Sequence, residues 1–147
     1  MTREETVKGA ARRIEHYRAQ GYACSEASIR ALADLFDCPL PQDVIKAAGV
    51  FAGGAAVDGR CGIGESALIF VAYLFGGKAG AHRLPERARR VQREMENALG
   101  SIMCSDLFYP LYEEHRSKGE PEEAFHCVFD SGIVCVAGTI HDMIYET

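Results

Sequence analysis

A chain of 147 residues is one domain's worth, and at this size roughly two-thirds of its extended surface is buried without help from disulfides. Its 48% apolar and 25% charged residues exclude a disordered chain. Sixteen Lys and Arg against 21 Asp and Glu leave a net −5, which argues against a surface that holds nucleic acid by neutralising phosphates. The longest apolar run, Ala67 to Phe75, is nine residues, about half of what spans a bilayer. Met1-Thr2-Arg3-Glu4-Glu5 has no apolar signal region behind its charge, so a cytoplasmic protein is expected.

The dominant period is helical. Val7, Ala10, Ala11, Ile14 and Tyr17 form one stripe ended by Gly21, predicting a first helix over residues 3–19. Cys24, Ala27, Ala31, Leu32, Leu35 and Phe36 form a second, stopped before Pro39. Pro41 then opens a short helix through Val44, Ile45 and Ala48. From Gly49 to Gly64 the chain is glycine-rich, and residues 62–75 that follow read as a central helix, apolar on every side from Ser66. Pro85 to Leu99 is amphipathic, with Ala88, Val91, Met95 and Ala98 inward, and Gly100 stops it. Cys104 to Tyr109 predicts one or two turns ending before Pro110, and Arg116 to Pro121 a polar loop. Glu122 to Tyr145 is expected to be a last helix. Its Ile133-Val134-Cys135-Val136 run would suit a strand, but no partner strand is in sight. The expected fold is all-α: one domain over residues 1–147, a bundle of about five to seven helices around the helix at 62–75.

Cysteine is the unusual number. Six in a chain with no need of disulfides point to metal or redox chemistry in a reducing compartment. They are Cys24, Cys38, Cys61, Cys104, Cys127 and Cys135, with successive gaps of 14, 23, 43, 23 and 8. No pair has the two-residue gap of a zinc ribbon, a ferredoxin or a thioredoxin-like motif, so folding must assemble any site from separate helices. Cys24, Cys61 and Cys104 each fall at an expected helix start, where free amides and the positive dipole end stabilise a thiolate. Taken singly, each reads as a small buried apolar residue. Three in the same setting do not.

These contexts resemble a known family, the redox-active proteins named for their C_GCAxxG_C_C cysteine pattern. Tyr22-Ala23-Cys24-Ser25-Glu26 is similar to its first cysteine, and Gly53-Gly54 through Gly59-Arg60-Cys61-Gly62 to its glycine-rich approach to a Cys-Gly pair. Leu99-Gly100-Ser101-Ile102-Met103-Cys104-Ser105-Asp106-Leu107 is similar to the third. The fourth matches Cys127 best, with Cys135 as the substitute. Ile63 and Ser66 stand where the family pattern has alanine and glycine, which bears on the shape of any pocket. Cys38 matches nothing in the pattern and reads as packing. The resemblance implies a single helical domain with a redox-active centre, and carries over Cys24, Cys61, Cys104 and Cys127 as its site residues. It brings no reaction, substrate or redox partner.

Three chemistries suit four converging cysteines: an iron–sulfur cluster, a structural zinc ion, or a dithiol–disulfide couple. The first and third are favoured, because structural zinc ligands usually come in pairs from one tight loop. Glu65, four residues after Cys61, reads as a first-turn carboxylate before it reads as a proton acceptor or extra ligand. His126, beside Cys127, is a weaker substitute ligand. His16, His82, His115 and His141 fall in no constellation. The arginines from Arg83 to Arg93 suit an anionic partner, although a solvated helix face explains them more simply. The glycine-rich loop lacks the Lys-Ser/Thr ending of a P-loop and the preceding strand of a Rossmann fingerprint. In the last helix Ala124, Cys127, Ser131, Cys135 and Gly138 make a small-residue side, and Phe125, Phe129, Ile133, Val136 and Ile140 cover much of the rest. That pattern suggests deep burial or a homodimer contact. The rival to a redox centre is a non-catalytic helical interaction module whose cysteines only pack.

Overall fold

Thr2 fixes where the first helix begins. Its hydroxyl accepts a hydrogen bond from the Glu5 amide at 3.1 Å while the Glu5 carboxylate accepts from the Thr2 amide at 2.8 Å, a reciprocal cap on α1 (Arg3–Ala19). The computed structural model describes residues 1–125 and 127–146, and the side chain of Glu123 is not described. The buried face of α1 is Thr6, Gly9, Ala10 and Ile14, so the stripe is turned slightly from the expected one. Thr6 joins the core because its hydroxyl donates to Thr2 O at 2.8 Å and no polar group is left unpaired.

The remaining helices follow the punctuation of the sequence. α2 is Cys24–Leu35, and α3 (Gln42–Ala48) follows Pro41. After a 3-10 turn at Gly49–Phe51 and an irregular loop comes α4, Gly62–Phe75. A single turn, α5 (Gly77–Gly80), leads to α6 (Leu84–Leu99), which ends on Gly100 in the left-handed conformation at φ 89°. α7 is Cys104–Ser117 and α8 is Phe129–Tyr145. Among the described residues there is no strand, and the Ile133–Val136 run is helical.

Two boundaries differ from expectation. α7 continues through Pro110 instead of ending before it. A proline in a helix forfeits one backbone bond and crowds the preceding turn. Here Pro110 and Asp106, whose carbonyl loses its donor, are both exposed residues, so the lost bond does not fall in the core. α8, in turn, starts at Phe129 and not at Glu122. Pro121 and a 3-10 turn at Glu122–Ala124 precede an extended Phe125, whose ring packs 5.2 Å from Phe108 and from Tyr112 and 5.4 Å from His115. This aromatic cluster on α7 holds the chain out of the helix. Ala124 and Cys127 therefore leave the expected small-residue side of α8. Gly138, which stays on it, lies under Arg3 of α1, whose Nη2 is 2.6 Å from where a Cβ would stand.

Helix α4 packs on α2, α6 and α8, while α8 packs on α1, α6 and α4. The two share the centre, with Phe70, Val71, Ile133, Val136 and Ile140 fully buried between the outer helices. Among the described residues no helix is long and apolar enough to cross a membrane. The starts of α2, α4 and α7 come together around the irregular loop.

Candidate functional site

Each cysteine that the sequence singled out lies at a helix start. Cys24 is the first residue of α2, Cys61 caps α4, and Cys104 is the first residue of α7. Because α8 begins late, Cys127 lies just ahead of it, followed by the cap residue Val128, so a fourth thiol shares the setting of the other three. His126 lies outside the described residues.

Backbone pairing ties together the two segments that carry Cys61 and Cys104. Residues 59–61 and 102–104 run antiparallel: the Cys61 amide donates to Ile102 O at 2.7 Å, the Cys104 amide to Gly59 O at 2.9 Å, and Arg60 bridges Met103. Cys24 meets the first turn of α4. Its sulfur would stand 2.8 Å from a Cβ on residue 62, so only glycine lets the first turn of α4 come this close. At the same position Phe51 O would be 2.9 Å away. Ser66 ties the same two helix starts together, its hydroxyl donating to Ser25 O at 2.6 Å. The departure from small residues at 66 thus adds a clasp, and Ile63 packs against Gly132 of α8.

Between Phe51 and Cys61 the chain turns against its own handedness. Gly53, Gly54, Ala55, Ala56 and Asp58 all have φ between 57° and 68°, a conformation that costs non-glycine residues about 1–2 kcal/mol each. The result is a tight loop closed by the Gly59 amide on Gly54 O at 2.9 Å. Its glycine end presents the Gly53 amide to the Cys24 sulfur.

Burial dominates the electrostatics of these thiols. It pushes Cys61 up from 9.0 to about 11, against the Ile63 and Gly64 amides that favour the thiolate and with repulsion from Cys24 and Cys127. Burial also raises Cys24, although the Gly53, Ser25 and Gly62 amides pull it down. Cys127 is raised by burial and by Cys24 and Cys104, with the Val128 amide opposing. Cys104 is raised by burial, then by Cys24 and Asp58. Each of the other three feels Cys24. Cys104 also lines a cleft of about 400 Å³ with Asp58, Ser105, Phe108 and Tyr109, so this thiol has a path to solvent.

The two other cysteines lie apart. Cys135 is two turns into α8, raised by burial and Glu94 and lowered by Arg3, in a different cleft. Cys38 follows α2 and packs against the core. Glu65 is taken by Arg60, with Nε 2.7 Å from its carboxylate. Among the described residues no three His, Cys, Asp or Glu side chains stand in an arrangement that holds one metal ion.

The profile of a family described as "Putative redox-active protein (C_GCAxxG_C_C)" matches residues 22–141. The chain belongs to this family. The match begins at Tyr22, two residues before the first helix-start cysteine, and takes in all four. No curated protein and no solved structure matches this C_GCAxxG_C_C chain. Sequence reasoning missed the Gly53 amide, the Ser25–Ser66 clasp and the 59–61/102–104 pairing. The glycine density around residue 54 was the signal for the first; nothing local announces the other two.

Proposed function

We propose that this C_GCAxxG_C_C protein carries a redox centre made by Cys24, Cys61, Cys104 and Cys127, and that the amides facing these sulfurs favour an iron–sulfur cluster. The observation that carries this reading is the set of amides facing sulfur that burial nonetheless keeps protonated. Amide donors are of most use to an anionic sulfur, and buried thiols that repel one another cannot all ionise without added positive charge. A cluster bound by the four thiolates would supply that charge and one-electron chemistry. The buried Ser25 hydroxyl points the same way, since it has no hydrogen-bond partner in the first turn of α2 beside Cys24. So does the glycine at 62, which trades a side chain for proximity to sulfur.

In this reading the chain's own groups have separate tasks. The Gly53, Gly62, Ile63, Gly64 and Val128 amides stabilise negative charge on sulfur. The core side of α4 excludes water, and the Cys104 cleft leaves one edge open for electron exchange. Packing alone, the interaction-module reading, gives no reason for so many amides to face these thiols.

A dithiol–disulfide couple among the same four cysteines is the second reading. It is favoured by the absence of a three-ligand arrangement among the described residues, and it needs only two sulfurs to meet. Iron and acid-labile sulfide analysis of anaerobically prepared protein, with thiol titration before and after reduction, separates the readings. Iron and sulfide in equal amounts support the cluster; a reversible loss of two thiols without iron supports the couple. Neither signal, with all thiols inert in the folded chain, returns the protein to the interaction-module reading.

A further inference from the structure

Five arginines, Arg83, Arg87, Arg89, Arg90 and Arg93, fall within 11 residues of a chain whose net charge is −5. A solvated helix face would spread them. Instead all five line one cleft of about 320 Å³, with Met143 and Glu146 from the end of α8 on the other side. Two carboxylates, Glu86 and Glu146, are in that lining, so five positive charges face two negative ones.

The arginines are not equivalent. Arg90 grips Glu146 as a fork, Nη1 to Oε2 at 2.6 Å and Nη2 to Oε1 at 2.7 Å. Arg87 lies over the Phe75 ring, its guanidinium carbon 4.0 Å from the centroid, which fixes its direction. Arg83, Arg89 and Arg93 make no ion pair within the described residues. Like charges gathered without matching counter-charges destabilise a fold, so a purely structural role does not account for them. Guanidinium forks match phosphate oxygens, and a tetrahedral phosphate accepts forks from several directions at once. The volume is at the small end of ligand pockets, which run from roughly 300 to 1,000 Å³.

We propose that this cleft binds a small compound bearing two or more phosphate groups, engaged by Arg83, Arg89 and Arg93. The Glu146 carboxylate, held on Arg90 in the same cleft, places a negative charge against the anion. None of the four helix-start cysteines lines the cleft, so the proposal stands apart from the redox centre.

Titration calorimetry of the full chain with inorganic pyrophosphate, at fixed ionic strength, tests it. One saturable site is expected, with orthophosphate binding more weakly. Replacing two of the three exposed arginines, Arg83→Gln with Arg93→Gln, should weaken binding roughly tenfold or more. Glu146→Gln should tighten it several-fold, because a negative charge in the same cleft is removed and the Arg90 fork is released. Cys61→Ser should bind like the parent chain. No saturable binding, an unchanged affinity in the double variant, equal affinity for orthophosphate, or no gain in Glu146→Gln would each overturn the proposal.

Discussion

Along α4, the middle of the helix and its first turn meet their neighbours in different ways. Ala67, Phe70 and Val71 are fully buried and fill the space between α2, α6 and α8 with apolar volume. Gly62 and Gly64 have no side chain to bury, and sulfur lies over both: Cys24 Sγ above the first and Met95 Sδ above the second, each 2.8 Å from where a Cβ would stand. The middle of the helix is built for stability, since buried apolar area contributes roughly 25 cal/mol per Å². The first turn gives up that area to bring backbone amides against a thiol. Neighbouring turns of one helix thus serve the fold and the site separately, and substitutions should separate them too.

The largest effect is expected in the middle. Phe70→Ala removes a fully buried ring and should cost about 3–5 kcal/mol in denaturant unfolding. The thiol centre should fail only as the fold fails. Alkali should come next. The Cys61 thiol is raised from 9.0 to about 11, so between these values the unfolded chain has lost a proton that the folded chain still holds. Stability from this group is complete below about pH 9 and falls as pH rises towards 11, by on the order of 2–3 kcal/mol. Cys61→Ser should flatten that part of the pH–stability curve, measured by chemical denaturation.

Gly62→Ala should reverse the pattern of Phe70→Ala. The added methyl meets Cys24 Sγ and Phe51 O, an overpacking cost of about 1–3 kcal/mol. Helical circular dichroism should persist while the redox signal is lost, and a variant that keeps the full signal would show that the close approach is not needed. Ser66→Ala is the mildest. It removes the clasp to Ser25 O, about 1 kcal/mol in thermal or denaturant unfolding, and should loosen the α2 start without emptying the core.

The same contrast explains what could be read in the sequence. Helix bodies are visible because apolar periodicity and proline and glycine punctuation act locally; α4 at 62–75 and α6 up to Gly100 lie where those signals place them. Pro110 misled for a physical reason: its penalty depends on whether water can reach Asp106 O, a tertiary fact. The start of α8 was displaced by Phe125 joining three rings on α7, another long-range contact with no local mark. That displacement puts Cys127 at a helix start, which sequence reading granted only to Cys24, Cys61 and Cys104. Positive φ at Ala55 and Ala56 is invisible locally, because alanine prefers the opposite hand.

The most direct test of the four-thiol centre is the visible absorption spectrum of the protein reconstituted anaerobically with iron and sulfide, taken across all six single Cys→Ser variants. The account predicts that Cys24→Ser, Cys61→Ser, Cys104→Ser and Cys127→Ser each lose or sharply alter the charge-transfer bands, while Cys38→Ser and Cys135→Ser match the parent. An unchanged spectrum in any of the first four, or its loss in Cys135→Ser, would contradict it.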